Sequence, residues 1–398
     1  MTLYLRVFLV AVQLLSALES CCCNSNVKVD KGIALTGDTV GVETIGTIIN
    51  GDIVVKGNID LQGNICCLPA NALLDLRHGT ITNGCLMGNH TRLLCKRGAF
   101  NHVKIKGTWI SPVIKSDYFS DLTYENALQD VIALTNTEIK NLVYVSSGDY
   151  YVSIDKNGGS GMVVESNTTL KLDGTIHLIP NKYRISYIVY VKGNNINIKG
   201  NGTIIGDKTT HLGESGEWGM GIALDNAINV RISGLTIKNC WGDCIYVGGE
   251  SKCVKIDKCI LDNGRRQGIS ITSGNDIVIK RTKILNVNGT APQYAIDVEP
   301  NRGDMCDNIF VDHVEIENCK GGIQVFGRAE RACVGKIIIK HCKMEKMVFV
   351  PLRVEKCESL ELKNNEIANF KTNEYKLFKD VGLVKENGSV INGYKQKK

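Results

Sequence analysis

Apolar and polar positions alternate over short segments of the chain, and from about residue 187 these segments recur at a nearly fixed interval. Strand-like stretches beginning GIAL, CIYV, GISI, AIDV and GIQV each carry an isoleucine at the same point. These isoleucines, spaced at intervals of 23, 24, 27 and 27 residues, are Ile222, Ile245, Ile269, Ile296 and Ile323. A second segment follows each one, as in NVRISGLTIKNC and CVKIDKCILDNG. The apolar spacing of two predicts strands rather than helices.

Aligned in this register, the second segments form two apolar columns and one polar column. The first is Val230, Val254, Ile277, Ile309, Ile337 and Leu360; the second is Ile237, Leu261, Ile284, Ile316, Met344 and Ile367; the third is Asn239, Asn263, Asn286, Asn318, Lys346 and Asn369. Asparagines stacked at a turn can form a ladder of amide hydrogen bonds. A repeat of about two dozen residues indicates a solenoid. We therefore predict an all-β, right-handed, single-stranded parallel β-helix; a leucine-rich repeat is the main alternative, but its L-x-x-L-x-L frame is missing.

The regions around the repeats predict how the chain is organised. Residues 21–115 are typical of irregular β structure or first coils, and residues 116–380 of the β-helix itself. Within the latter, residues 120–136 carry apolar side chains at helical spacing behind a Ser/Asp cap, which predicts an N-terminal capping helix over the open end of the solenoid. Residues 381–398 are predicted to be a C-terminal tail, and the segment 374–388 is a candidate cap for the other end.

The N-terminus predicts export. Residues 1–20 resemble a signal peptide, because Arg6 precedes an apolar stretch at 7–18 that is too short to span a bilayer. The stretch ends LSALESC, which resembles the lipobox of bacterial lipoproteins and makes Cys21 the candidate lipidation site. We expect a location in the periplasm, at the outer membrane surface or outside the cell, with membrane attachment only through this anchor. A buried N-terminal strand is the alternative.

Composition excludes some partners and limits others. The chain has 41 glycines and only 6 prolines in 398 residues, which favours many short strands and turns. Its net charge of +6 comes from scattered basic residues, so we expect no nucleic-acid partner and a mild preference for an anionic glycan.

Cysteine and histidine spacing bears on crosslinks and metals. Several of the 16 cysteines fall in shared columns three coils apart, about 14 Å, which is too far for a disulfide, so we expect them to pack as small apolar residues. The C-x-x-C pairs and histidine clusters typical of zinc sites are missing from the sequence, and His211 and His313 stand alone, so we expect no structural metal. Calcium, if used, would bind Asp243, Asp297 or Glu299.

Residues that alternate with the buried isoleucines are predicted to point to solvent along one wall. The candidate substrate-binding residues on this wall and its turns are Trp218, Tyr246, Arg265, Gln267, Tyr294, Arg302, Gln324, Arg328 and Arg353. Coils stack about 4.8 Å apart, so five of them would gather these groups within about 20 Å. Acids, arginines and aromatic rings together are typical of a groove for a polysaccharide, anionic or neutral.

The candidate catalytic residues are Asp243, Arg266, Asp297 and Glu299. Asp297 and Glu299 share one strand face with Cα atoms about 6.7 Å apart, so each would disfavour ionisation of the other and provide an acid beside a base or nucleophile. Arg266 could clamp a substrate carboxylate. The alternatives are that Glu299 pairs with an arginine, that Asp243 closes a turn, that Arg265 and Arg266 are solvated, and that Trp218 covers the core.

Over about residues 70–380 the sequence resembles the pectin-lyase-like β-helix superfamily. WGDCIYV is similar to the D-D-C coil of polygalacturonases, with Asp243 as the second aspartate, and RRQGISITS to their G-H-G coil, with Gln267 at the histidine. YAIDVE is similar to the Y-G-F-D-P-H segment of alginate C5-epimerases, with Tyr294 and Asp297 matching and Glu299 at the histidine. The resemblance implies hydrolysis or β-elimination of a polysaccharide without a cofactor; a C5-epimerase-like enzyme and a non-catalytic glycan-binding surface protein remain alternatives.

Overall fold

The computed structural model describes residues 39–41, 45–49, 51–154 and 159–392. The predicted signal segment at 1–20 and Cys21 lie outside the described residues. Residues 1–40 form a unit of their own, in which the described part is strand β1 (Thr39–Val40). The remainder, residues 41–398, forms a second unit.

The N-terminal part of the second unit is a small sheet. Its strands are β2 (Thr47–Ile49), β3 (Asp52–Asp60), β4 (Ile65–Cys67), β5 (Leu73–Cys95) and β6 (Phe100–Ile110). The long strand β5 runs parallel to β3, β4 and β6, while β2 is antiparallel to β3. The side chains of Ile53, Leu74, Ile81 and Phe100 are fully buried, so this region has a core of its own.

A short helix joins this sheet to the coils that follow. Strand β7 (Val113–Lys115) leads into a 3-10 turn (Ser116–Tyr118) and then helix α1 (Ala127–Ile132). The capping helix is confirmed but spans six residues, because Asn126 has a left-handed φ of 59° and stops the helix from beginning earlier. The Asp130 carboxylate accepts hydrogen bonds from the backbone N–H of Ile105 and from Nζ of Lys104, each at 3.1 Å, which ties α1 to β6.

The rest of the chain is built from short strands. They are β8 (Asn141–Val145), β9 (Asp149–Val152), β10 (Gly159–Val164), β11 (Thr168–Leu172), β12 (Thr175–Leu178), β13 (Ile185–Gly200), β14 (Thr203–Ile205), β15 (Trp218–Ser233), β16 (Thr236–Lys238), β17 (Ile245–Gly248), β18 (Ser251–Asp257), β19 (Ile260–Asp262), β20 (Ile269–Ile271), β21 (Gly274–Lys280), β22 (Lys283–Leu285), β23 (Tyr294–Val298), β24 (Met305–Asp312), β25 (Glu315–Glu317), β26 (Gly321–Phe326), β27 (Cys333–Val334), β28 (Lys336–Lys340), β29 (Lys343–Glu345), β30 (Leu352–Lys363), β31 (Glu366–Ala368), β32 (Lys376–Asn387) and β33 (Val390–Asn392). Each coil contributes to a 17-stranded sheet and a 10-stranded sheet, and successive coils pair in parallel. The predicted parallel β-solenoid is thus confirmed.

The predicted columns coincide with the strand register. Val230 pairs with Val254, Val254 with Ile277, and this continues through Ile309 and Ile337 to Leu360. The column of Ile237 likewise runs to Ile367 through the 10-stranded sheet. All of these side chains are buried, so the core is a set of apolar ladders along the solenoid axis.

The polar column lies at a turn, where every member has a left-handed φ between 55° and 60°. Asparagine adopts this conformation more readily than most residues, which accounts for the column. Asn263 donates to Oδ1 of Asn239 at 2.8 Å, and Asn318 to Oδ1 of Asn286 at 2.6 Å. Asn286, however, donates to Oδ1 of Asp262 at 2.7 Å, so the amide ladder is interrupted there.

The C-terminal end differs from the sequence prediction. The segment 374–388 is strand β32, which pairs along its length with β30, and β33 extends the 10-stranded sheet. The coils therefore continue to Asn392, past residue 380 where the solenoid was predicted to end. The cause is that alternation in KLFKDVGLVKEN is weaker, since most of its side chains are exposed on a terminal coil.

Several cysteines lie in the core of the solenoid. The thiols of Cys240, Cys259, Cys319 and Cys342 are buried and unbridged, as the column argument predicts. Burial raises the pKa of the Cys259 thiol to about 11, so it stays protonated and inert.

Within the described part of the chain, no helix has both the length and the apolar character needed to cross a membrane.

Candidate functional site

One column of outward positions runs across the wall formed by the first strand of each coil. In register along the solenoid it contains Tyr190, Ala223, Tyr246, Ser270, Asp297, Gln324 and Arg353. Their strand neighbours, such as Ile296 and Val298, belong to the core. The structure therefore brings Tyr246, Asp297, Gln324 and Arg353 together on one face, which we call the outward wall.

Asp297 is the centre of a hydrogen-bonded cluster on this wall. Its Oδ2 accepts from Nε2 of Gln267, and its Oδ1 from Nε2 of Gln324, both at 3.0 Å. Nη1 of Arg353 donates to the other end of the Gln324 amide at 3.2 Å. Asp297 is only 1% exposed, so the expectation that it points into solvent is wrong: the amides of the flanking coils cover it.

Burial and a neighbouring carboxylate determine the charge of Asp297. Loss of hydration, followed by the nearby charge of Glu299, raises the pKa of Asp297 to about 8, although the two glutamine donors act in the opposite direction. Asp297 is therefore mostly a neutral acid at pH 7. Glu299, the first residue after the same strand, is partly exposed. The two groups together are an acid beside a carboxylate.

Asp243 lies just before β17 and is completely buried. Its Oδ1 accepts from the backbone N–H of Gln267 at 3.1 Å, and its Oδ2 from Oγ of Ser270 at 2.5 Å. Burial raises the pKa of Asp243 to about 6, with the positive charge of Arg266 opposing this shift. Gln267 thus contacts both acids, through its backbone to Asp243 and through its side chain to Asp297.

The two adjacent arginines hold loops together. Arg265 stacks on Trp241 with its guanidinium carbon 3.7 Å from the ring centroid, and donates to the carbonyl oxygens of Trp241 and Gly216 and to the hydroxyl of Thr290. The opposite side of the Trp241 ring system faces His211, with ring centroids 4.0 Å apart.

Arg266 donates to the carbonyl oxygen of Ala291 at 3.2 Å and lies 3.6 Å from the carboxylate of Glu217. Neither Arg265 nor Arg266 is therefore a free guanidinium pointing into the wall. Trp218 begins β15 and is 40% exposed, so its ring is accessible at the edge of the wall.

A second charged cluster lies at the C-terminal side of Asp297. Arg353 and Arg328 both donate to the carboxylate of Glu355, and Arg328 also donates to Oδ2 of Asp380 at 2.9 Å. The Glu355 pKa is lowered by these two guanidinium groups, against the effect of burial. The positive charges of Arg328 and Arg353 are therefore already balanced by Glu355 and Asp380.

Tyr294 and Arg302 occupy different surroundings. Tyr294 is 5% exposed, and a Cβ atom on Gly321 would lie 2.4 Å from its ring, so only glycine allows the tyrosine to pack there. Arg302 pairs with Glu330 at 2.8 Å between two largely exposed side chains. It is not brought to the Asp297 cluster.

Aromatic residues at the N-terminal side of the wall were not predicted from the sequence. The rings of Tyr187 and Tyr190 are stacked, with centroids 5.5 Å apart and planes 15° apart. The hydroxyl of Tyr190 donates to Oδ2 of Asp225 at 2.6 Å, and that of Tyr246 shares a hydrogen bond with Thr272 at 2.7 Å. The signal was available in the segment SYIVYV, one coil before the repeats from which the wall was predicted.

The cluster does not suit calcium. Calcium binds several ionised or carbonyl oxygens, whereas Asp297 is a mostly neutral acid whose two oxygens already accept amide hydrogen bonds. Asp243 is likewise occupied on both oxygens. The arrangement can instead supply a proton from Asp297, a carboxylate from Glu299 and flat aromatic surfaces from the tyrosines.

Part of this chain is similar in sequence to a known protein. The uncharacterized protein YclG of Bacillus subtilis (strain 168) is 30% identical over 186 residues, which is 39% of this chain and 32% of that protein. The chain thus matches about a third of that relative's length.

Two solved structures are also similar. The family 28 exopolygalacturonase of Yersinia enterocolitica is 12% identical with a TM-score of 0.41, covering 72% of this chain and 79% of that one. The A-module of the mannuronan C-5 epimerase AlgE4 of Azotobacter vinelandii is 11% identical with a TM-score of 0.43, covering 71% of this chain and all of that module (100%). At these values the likeness is one of distant structural similarity.

The family model described as the right handed beta helix region matches residues 141–299, 186–343 and 220–393. These overlapping matches extend from 141 to 393, which is more than half of the 398-residue chain. They coincide with the stacked coils and with every strand of the outward wall. The chain belongs to the right-handed β-helix family.

Proposed function

We propose that the outward wall binds a polysaccharide and cleaves it by glycosidic hydrolysis, with Asp297 as the proton donor and Glu299 as the partner carboxylate. The observation that carries this proposal is the pKa of Asp297, raised to about 8 by burial and by Glu299. A leaving glycosidic oxygen needs an acid that is still protonated near neutral pH. Glu299, partly exposed and two residues further on, would act as base or nucleophile.

The surrounding residues would bind and position. Tyr187, Tyr190 and Tyr246 would stack against sugar rings, since aromatic faces suit the apolar faces of sugars. Asp243 would be a positioning residue, because it contacts the backbone of Gln267 and through it orients the amide on Asp297.

The charges of the wall favour hydrolysis over β-elimination. Elimination from a uronate requires a cationic group to neutralise its carboxylate, yet Arg353 and Arg328 share Glu355, and Arg266 faces Glu217. An uncharged or weakly charged glycan would leave these pairs intact. This differs from the anionic glycan that the net charge alone favours.

Substrate must first reach Asp297. The Arg353 side chain is 36% exposed, and its hydrogen bond to Gln324 is part of the cover over the acid. In this proposal Arg353 releases its hydrogen bond to Gln324 when a sugar binds and keeps its pair with Glu355, which uncovers Gln324 and then Asp297. Binding energy from the tyrosines would compensate for the broken contacts.

A second candidate function is glycan binding without turnover. It is favoured by the same burial, since Asp243 is 0% and Asp297 1% exposed and both have complete sets of hydrogen-bond partners. In that case the two acids stabilise the coils, and only the tyrosines and exposed groups contact sugar. Export by the segment at 1–20 and anchoring at Cys21 would place either activity at a cell surface.

A polysaccharide panel tests both candidates. The purified protein is incubated with neutral, uronate-containing and sulfated polysaccharides; new reducing ends report hydrolysis, and absorbance of unsaturated uronates reports elimination. New reducing ends without unsaturated products support hydrolysis. Retention on an immobilised polysaccharide without any product supports the binding function. If no polysaccharide of the panel is cleaved and none retains the protein, both candidate functions are contradicted.

A further inference from the structure

A second cluster of reactive side chains lies away from the outward wall, at the turn after β24 and β28. Asp312 ends β24, His313 follows it, and His341 follows β28 one coil later. Both histidines have left-handed φ values, 54° and 53°, so they occupy the same point of successive turns. The expectation that His313 stands alone is wrong, because stacking of the coils brings together two histidines that are 28 residues apart.

The three side chains converge on one point. Nδ1 of His313 lies 2.7 Å and Nδ1 of His341 lies 3.0 Å from the same oxygen, Oδ1 of Asp312. The two imidazole rings have centroids 4.7 Å apart. Among the residues that the structure describes, this is the one group of three histidine, cysteine or acidic side chains whose ligand atoms all lie within 4.8 Å of one another.

We propose that Asp312, His313 and His341 bind a divalent transition-metal ion such as Zn²⁺ or Ni²⁺. Two imidazole nitrogens and one carboxylate oxygen are a ligand set that such ions prefer. Around a tetrahedral ion with bonds of about 2.0–2.2 Å, ligand atoms lie about 3.3–3.5 Å apart. The observed distances of 2.7 and 3.0 Å need to open by only about half an ångström, which rotation of the exposed His313 and the partly exposed His341 side chains supplies.

The remaining coordination positions face solvent. The side chain of His313 is 60% exposed, so water or a further ligand can complete the shell. The ion would join two successive coils at this turn. It would therefore add stability to the solenoid as well as bind.

Neighbouring charges limit the affinity. Asp312 is in register with Lys280 on one side and Lys340 on the other. Nζ of Lys340 lies 4.6 Å from the ring centroid of Phe310, and its charge acts on Asp312. Removing this cation should tighten metal binding. If the histidines only form ion pairs with Asp312, its removal should not increase metal affinity.

An ion-pair ladder is the alternative, and one coil earlier the chain has an example. Arg281 occupies the same turn position as the histidines and donates to both oxygens of Asp257 at 2.9 and 2.7 Å. Arginine cannot bind a metal through its charged guanidinium. The exchange of arginine for histidine in two successive coils is what changes a cation–carboxylate pair into a set of metal ligands.

The test uses the full chain, freed of metal with a chelator and titrated with Ni²⁺ by calorimetry at pH 7.5. We expect wild type to show a site that is weakened at least about tenfold in His341→Ala and in the safer, exposed variant His313→Ala. Lys340→Gln should bind more tightly than wild type. Ni²⁺ should also raise the melting temperature of wild type and not of His341→Ala.

The matched control is His177→Ala, which removes a histidine that pairs with Asp149 at 2.7 Å without a second histidine beside it. It should leave the site intact, and cysteines elsewhere in the chain contribute equally to every variant. Equal Ni²⁺ binding in wild type, His313→Ala and His341→Ala would overturn the proposal. So would an equal loss of binding in His177→Ala.

Discussion

Gln324 and Asp297 lie on adjacent coils, and Nε2 of Gln324 donates a hydrogen bond to Oδ1 of Asp297 at 3.0 Å. Because Arg353 donates to the oxygen of the same amide, Gln324 cannot turn around. As long as Arg353 holds this amide, Oδ1 is an acceptor and the proton of the neutral acid lies on Oδ2, facing Gln267. Oε1 of Gln267 has no partner, so rotation of this amide allows it to accept that proton.

The buried acids make folding stability depend on pH. The pKa of Asp297 is 3.8 ordinarily and about 8 in the folded chain, so the folded state binds the additional proton between these values. The free energy of unfolding should fall as pH rises from 4 through 8, and Asp297 alone contributes a slope of up to about 1.4 kcal/mol per pH unit.

Denaturant unfolding at several pH values measures this slope. Asp297→Asn, which cannot ionise, should flatten the dependence between pH 6 and 8, where Asp243 no longer contributes, while the surface control Glu330→Gln should leave it as in wild type. A slope unaffected by Asp297→Asn would show that the acid is ionised in the folded chain.

Gln324→Leu should raise the pKa of Asp297 further. The glutamine donates to the carboxylate and stabilises its charged form, so its loss favours the neutral acid. The carboxyl chemical shift of labelled aspartate, followed against pH, reports the midpoint. A midpoint that moves down instead would mean that Gln324 does not act as a donor, and Asp297→Asn should remove the titrating signal altogether.

Gly321→Ala should displace Tyr294. The new methyl group would lie 2.4 Å from the ring, which must shift, at a cost of about 1–3 kcal/mol of unfolding free energy. Gly303→Ala is the control, since its Cβ would meet open space and costs only the strain of a φ of 82°. Equal melting temperatures for the two variants would contradict the packing described for Tyr294.

Tyr190→Ala should weaken polysaccharide binding by about tenfold without unfolding the chain, since one stacking surface is worth about 1 kcal/mol or more. Tyr151→Ala removes an exposed tyrosine from the 10-stranded sheet, on a different face, and should bind as wild type does. Affinity electrophoresis in gels containing the polysaccharide compares them. Equal retardation of Tyr190→Ala and wild type would exclude the tyrosine pair from the binding surface.

The fold could be predicted from the sequence because each coil repeats the same physical requirement. Val230 and Leu360 are 130 residues apart, yet both fill one apolar ladder, and the repeat interval alone aligns them. The left-handed turn position was visible for the same reason, since asparagine recurs there. On strand β32 most side chains are exposed and the alternation is weaker, so the end of the solenoid was predicted too early in the chain.

Part of the wall's membership could be predicted, but its burial could not. Alternation shows that Asp297 faces away from the core, whereas the cover over it comes from Gln267 and Gln324 on two other coils. Pairing of Arg353 with Glu355 depends on side-chain conformations that a residue pattern does not encode. The histidine cluster was missed because its members are neighbours only through coil stacking.

The most direct test of the central claim is the rate of glycosidic cleavage by wild type and by Asp297→Asn on a polysaccharide that the protein degrades. Asparagine keeps the shape but has no acidic proton to transfer, so we predict a loss of at least about a hundredfold in kcat with polysaccharide affinity retained. A variant that cleaves as fast as wild type would contradict the assignment of Asp297 as the acid.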